Sequence, residues 1–368
     1  MNRSNDLKRN PQNRSSDLEI LARLHGVGPF GSQGARGPRT ITCVDEARGQ
    51  EGRGSTAGTL RTVLALARPL GGLSLLVYPL VGYGFALWDH SAEIGGLGDL
   101  ALLCAAWFVA SAGTMWLNAR LDGAESGALF AEAPTAAPPA FLGWLGTVAI
   151  GAGVVLSALA GLRVLLPCLG CAALSFLYSH PRTRWKAHPV LGPAVNALGY
   201  GTLSPLAGWA VARVPPTPRA IVVLVCIALF TLGATFAAQA FQREDDARRG
   251  YRTLVVTHGP RVCLEVTRWT MALPVAVLGA LALAGYFPRL LLVGVPFLAV
   301  VDRHLRRWQS APGGGTPKLA LGYMARMLGL GTIFIGLATV DFVIDLAADR
   351  PPAGLGTARG APAPRAAE

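Results

Sequence analysis

Long apolar runs fill most of the chain from about residue 70 to residue 346, separated by short polar stretches. Runs of roughly 18 apolar residues are long enough to cross a bilayer as helices. A transmembrane barrel would instead alternate apolar and polar positions along short strands. The pattern therefore predicts an all-α, multi-pass transmembrane helical bundle around a central cavity. It contains about nine spans, near 70–88, 98–117, 140–160, 163–179, 190–211, 220–241, 267–286, 288–301 and 322–346. Pro69, Pro189 and Pro288 stand at or near span starts, where the missing N–H costs little. Pro79, Pro167, Pro205 and Pro274 fall inside spans, as membrane helices tolerate.

Composition agrees with the pattern. The 368 residues are 52% hydrophobic and 15% charged, with a mean hydropathy of +0.42. Residues 1–57 are polar and lack periodicity, which predicts a disordered extension with at most one amphipathic stretch at Leu18–Leu24. No apolar signal-peptide core is expected there. Residues 58–348 are expected to form the membrane domain, and the Pro/Ala/Gly-rich residues 349–368 a disordered tail.

The net charge of +12 changes the picture only through its placement. Arg182, Arg184, Lys186, Arg243, Arg248, Arg249, Arg252, Arg303, Arg306 and Arg307 fall in one alternating set of loops. The opposite set holds little beyond Arg163, Arg213, Arg219 and Arg289. The asymmetry puts the first set in the cytoplasm, with the N-terminus. The expected location is the cell (inner) membrane. Basic loops facing anionic lipid account for the charge, so no nucleic-acid partner is expected. Of the six cysteines, Cys168 and Cys171 form a C-x-x-C inside an apolar run. Without a βαβ context, it reads as a pair of small residues at a helix contact.

Two polar motifs follow apolar spans directly. The first is W116-L-N-A-R-L-D-G-A-E-S126 and the second Q242-R-E-D-D-A-R-R-G-Y-R-T-L254. Asn118 and Asp122 are i and i+4, with Glu125 three further on; Gln242 and Asp246 repeat the spacing. Residues four apart share a helical face. Two such faces at one membrane boundary can hold a divalent cation, and arginines beside them suit phosphate. A third stretch, Tyr178-Ser-His-Pro-Arg-Thr-Arg-Trp-Lys186, is basic and aromatic. Each motif alone also reads as a polar span end or a loop of mutual salt bridges.

Together the three resemble the motifs of the UbiA superfamily of intramembrane prenyltransferases. That family's first motif reads N-D-x-x-D-x-x-x-D, and its second D-x-x-x-D-x-x-x-G-x-[KR]-[ST]. Asn118 and Asp122 match the first; Asp246, Gly250, Arg252 and Thr253 match the second. Tyr178 matches a Y-x-x-x-K pattern, with Arg182 at the lysine, and Leu191 to Gly201 is similar to the family's fifth span. Ala119, Ser126 and Gln242 stand where the family has aspartate.

The resemblance implies a Mg²⁺ site of Asn118, Asp122, Glu125, Gln242 and Asp246. It gives Asp122, Asp246 and Tyr178 catalytic roles. Diphosphate would be bound by Arg182, Arg184, Lys186, Arg249 and Arg252. The cavity would be walled by Trp116, Asn196, Tyr200 and Gln239, with Phe241 near. The expected activity is Mg²⁺-dependent transfer of an isoprenoid group from its diphosphate to an aromatic or other apolar acceptor. A terpene cyclase on the same fold and a non-catalytic membrane scaffold are the alternatives that the missing acids keep open. A transporter fits less well, because the densest polar groups lie at span ends rather than at mid-membrane.

Overall fold

The computed structural model describes residues 56–90, 96–122, 138–312 and 315–347. Leu18–Leu24, Cys43, Glu125, Ser126 and the tail 349–368 lie outside the described residues. All described regular structure is helical. Seven helical segments are long and apolar enough to cross a membrane: Gly58–His90, Leu97–Asp122, Phe141–Leu159, Leu162–Ser179, Pro218–Phe241, Pro260–Leu283 and Pro317–Ile344. The expected spans at 190–211 and 288–301 are assembled from shorter pieces.

Chain order builds the bundle as follows. The first apolar segment comprises α1 (Thr56–Ala67), α2 (Pro69–Leu75) and α3 (Val77–His90). Its start overlaps the last two residues of the expected extension. The break at Leu76 has a local cause: Pro79 offers no N–H to the carbonyl of Leu75. Then follow α4 (Leu97–Asp122), α5 (Phe141–Leu159) and α6 (Leu162–Ser179). A 3₁₀ turn at Trp185–Ala187 leads into α7 (Leu191–Leu198), a π-turn at Gly199–Leu203 and α8 (Ser204–Val211). After α9 (Pro218–Phe241) come two short helices, α10 (Arg243–Arg248) and α11 (Leu254–His258). The remainder is α12 (Pro260–Leu283), α13 (Leu291–Gly294), α14 (Phe297–Gln309) and α15 (Pro317–Ala347). The expected eighth span breaks between α13 and α14, beside Pro296.

Apolar side chains serve two solvents here. Tyr83, Leu103, Trp107 and Val164 form one buried core among α3, α4, α6 and α8. Phe236, Leu264, Met271, Leu305, Trp308 and Tyr323 form another among α9, α12, α14 and α15. Trp144, Leu159, Leu162 and Leu283 are exposed, as lipid-facing residues are. The chain is an integral, multi-pass membrane protein.

The contact between α3 and α8 is set by two glycines. A Cβ on Gly82 would lie 1.9 Å from the Pro205 carbonyl oxygen, and one on Gly208 1.8 Å from that of Pro79. Backbone thus packs directly on backbone, as small residues allow in membranes. The π-turn beside this contact accommodates Pro205, whose ring cannot donate. Within the turn the Gly199 carbonyl accepts both from the Ser204 N–H and from the Ser204 hydroxyl, the latter at 2.9 Å.

Candidate active site

The motif ends of α4, α6 and α9 converge at the mouth of one cavity of about 460 Å³. The helix α4 runs past its expected end at residue 117, so Asn118 and Asp122 sit on its last two turns. Both line the cavity, as do Met115, Thr114, Ser111 and Trp107 below them on the same face. About 22 Å of helix rise separates Trp107 from Asp122. At the floor the Trp107 indole donates to the Ser204 hydroxyl at 2.8 Å.

The second motif is held by a helix ending that the sequence encodes. Gly250 adopts φ +67, a left-handed conformation that favours glycine. Tyr251 N–H then donates to Asp246 O at 2.9 Å and Gly250 N–H to Ala247 O at 3.1 Å. That pair of bonds is a Schellman ending to α10. It turns Tyr251 and Thr253 back to the cavity. The Thr253 hydroxyl donates to Asp246 Oδ2 at 2.7 Å. Arg252 N–H donates to Ala187 O at 3.0 Å, which fastens this loop to the 3₁₀ turn carrying Lys186.

Charge at the mouth is arranged in pairs. Lys186 Nζ donates to Asp122 Oδ1, and Arg249 lies 3.6 Å from Asp122 Oδ2. Arg248 pairs with Asp245. Burial pushes the Asp246 carboxyl above the usual carboxylate range, against the Thr253 hydrogen bond and Arg249, which pull it down. Burial pushes the Lys186 ammonium below the usual lysine range, opposed by Asp122. Lower down, Gln239 is 7% exposed, and its Oε1 is buried without a hydrogen-bond partner among the described residues.

The family model for the UbiA prenyltransferase family matches residues 76–322, which include every residue just described at the mouth. The chain belongs to the UbiA prenyltransferase family. Solved UbiA homologues share the fold. A UbiA homologue from Archaeoglobus fulgidus bound to DMAPP and Mg²⁺ is 17% identical, with a TM-score of 0.58 over 76% of this chain and 99% of that one. The same homologue bound to GPP and Mg²⁺ gives equal values. A structure of digeranylgeranylglyceryl phosphate synthase is 18% identical, with a TM-score of 0.55 over 76% of this chain and 98% of that one. No curated protein matches the chain.

Against the UbiA motifs, the cavity gathers Asn118, Asp122, Tyr178, Lys186, Asn196, Tyr200, Gln239, Gln242, Asp246 and Arg249. Five expected residues among those described are not in its lining. Trp116 turns away: its indole donates to Val63 O at 2.8 Å and packs against Leu66, Ala119 and Leu142. Two positions along a helix is about 200° from Asn118. Arg182, Arg184 and Arg252 are exposed. Phe241, expected near the wall, packs instead on the core of α9 and α12. Glu125 lies outside the described residues.

Residues not foreseen include Arg68, Tyr78 and Tyr251. Arg68 holds φ 50 between α1 and α2, where a non-glycine residue is uncommon, and lines the mouth. No sequence periodicity marks it. The cysteines of the C-x-x-C are free and both line the cavity.

Proposed function

We infer that this chain is a prenyltransferase whose donor is an isoprenoid diphosphate, bound with its anionic head at the mouth and its chain in the cavity below. One observation carries the reading. Asp122 and Asp246, from separate helices, meet Lys186 and Arg249 at the open end of a cavity that continues down to Trp107. On the charge reading of the loops, that end is cytoplasmic.

The donor set fits Mg²⁺. Asp246 lacks an ion pair among the described residues, and Gln242 and Asn118, whose Oδ1 accepts from the Ser179 hydroxyl, line the same cavity with amide oxygens. Magnesium is typically held by one or two carboxylates together with substrate phosphates. When bound, it neutralises charge on the diphosphate as the leaving group departs. Lys186, Arg249 and Arg68 would hold diphosphate oxygens from the protein side. Preorganised cations in a site shielded from water stabilise a leaving diphosphate more strongly than solvent does. Tyr178 and Tyr200 wall the chamber and would face the allylic cation.

The test is direct: the purified chain in detergent, given Mg²⁺ and a panel of isoprenoid diphosphates, should release diphosphate in the presence of hydroxylated aromatic acceptors. Release from no member of the panel removes the reading.

The two displaced ionisations give an expected pH profile. Cation binding at Asp246 is complete above its raised folded pKa and is lost as pH falls through it. The Lys186 charge is complete below its lowered pKa and is lost as pH rises through it. Turnover should therefore fall on the acid side above the ordinary carboxylate range, and on the alkaline side below the ordinary lysine range. Lys186→Arg should move the alkaline limb upward, because a guanidinium keeps its charge. An unmoved limb assigns it to another group.

A further inference from the structure

We propose that the mouth of this cavity holds its diphosphate with a single divalent cation, and that Lys186, seated on Asp122, supplies the positive charge a second cation would bring. The inference rests on the donor reading above.

The argument is a census of carboxylates and what already occupies them. Asp122, Asp245 and Asp246 line the cavity. Asp122 carries Lys186 on one oxygen and Arg249, at 3.6 Å, on the other. Asp245 carries Arg248. Asp246 alone makes no ion pair among the described residues, and its partner there is the Thr253 hydroxyl. No group of three or more His, Cys, Asp or Glu side chains suited to a metal occurs among the described residues. A cation seeking Asp122 would have to displace an ammonium already in contact, with Arg249 close by.

Substitution and pairing point the same way. Ala119 and Gln242 are neutral where the family motifs carry aspartate. With those negative charges gone, Arg68, Lys186 and Arg249 balance the three lining carboxylates. A diphosphate entering such a mouth meets fixed cations at once. It needs a divalent ion only on the Asp246 side, where one carboxylate and the Gln242 amide face it. Lys186 is suited to the substituting role by burial, since a buried ammonium interacts with a phosphate oxygen through little screening water. Its backbone is fixed as well: the turn that carries it is tied through Ala187 O to the second motif at Arg252.

Equilibrium dialysis of the full chain in detergent against Mn²⁺ and radiolabelled inorganic diphosphate tests this, with both retained species counted per chain. The expected result is one Mn²⁺ and one diphosphate. Two Mn²⁺ per diphosphate overturn the inference while leaving the donor reading intact. Retention of no diphosphate removes the donor reading and the inference with it. Lys186→Met exposes Asp122 to metal and should raise the count to two Mn²⁺, whereas Lys186→Arg should keep it at one. A Lys186→Met protein that still retains one Mn²⁺ with undiminished diphosphate would show that the lysine replaces nothing. Should that variant fail to fold, the wild-type count and Lys186→Arg decide the matter.

Discussion

Asp246→Asn abolishes cation-dependent diphosphate release, a fall of about 100-fold or more, while the protein stays folded. The expected size is that of removing a group aimed at transition-state charge. Of the three carboxylates described in the cavity lining, Asp246 is the one without an ion pair among the described residues, so a divalent ion there has no comparable oxygen to turn to. The asparagine can still accept from Thr253, and the backbone bonds of the Schellman ending do not involve the side chain. Stability should therefore change little, and the sign can be stated. Burial already disfavours the charged carboxyl, so a neutral isostere relieves that cost in the cation-free protein. The check pairs a diphosphate-release assay with thermal unfolding in detergent. A variant that unfolds as the wild type does and releases diphosphate at the wild-type rate would place the metal elsewhere.

Gly208→Ala should be among the most damaging single methyl additions in the bundle. Its Cβ would stand 1.8 Å from the Pro79 carbonyl oxygen and 2.9 Å from Tyr83 N. Both are backbone atoms, so no side chain can rotate away, and α8 must move off α3 by more than about 1 Å. Overpacking ordinarily costs about 1–3 kcal/mol, and a backbone clash of this kind belongs at or above the top of that range. The shift would also disturb Ser204, which closes the floor with Trp107. Gly82→Ala, at 1.9 Å from Pro205 O, should behave alike. Gly84→Ala is the internal control. It lies on the same helix with nothing within 4 Å of its Cβ, and should be neutral or slightly stabilising through helix propensity. Equal loss of thermal stability in Gly84→Ala and Gly208→Ala would refute the close approach as the cause.

Much of this protein is settled by local pattern. An apolar run of span length has to be a helix in lipid, because its backbone groups find partners nowhere else. Polar residues four apart share a face wherever the helix is packed, so Asn118 with Asp122 was legible as a pair, whereas Gln242 stands at the break between α9 and α10 and joins Asp246 from a cap position. Trp116 was legible too, and the same angular argument would have turned it away from the cavity. What sequence could not decide is which face meets which. Arg68 reaches the mouth through a left-handed break between α1 and α2, and Thr253 reaches Asp246 through the turn after Gly250. Loop residues carry no periodicity, so Lys186 could not be told from Arg182 or Arg184 by pattern. Spacing alone offers Asp122 to a metal, and the packed loop gives it a lysine instead. The sequence by itself determined the helices and the acids they carry. Tertiary structure decided which acid of the cavity lining is without an ion pair among the described residues, because an ion pair depends on distances between segments far apart in the chain.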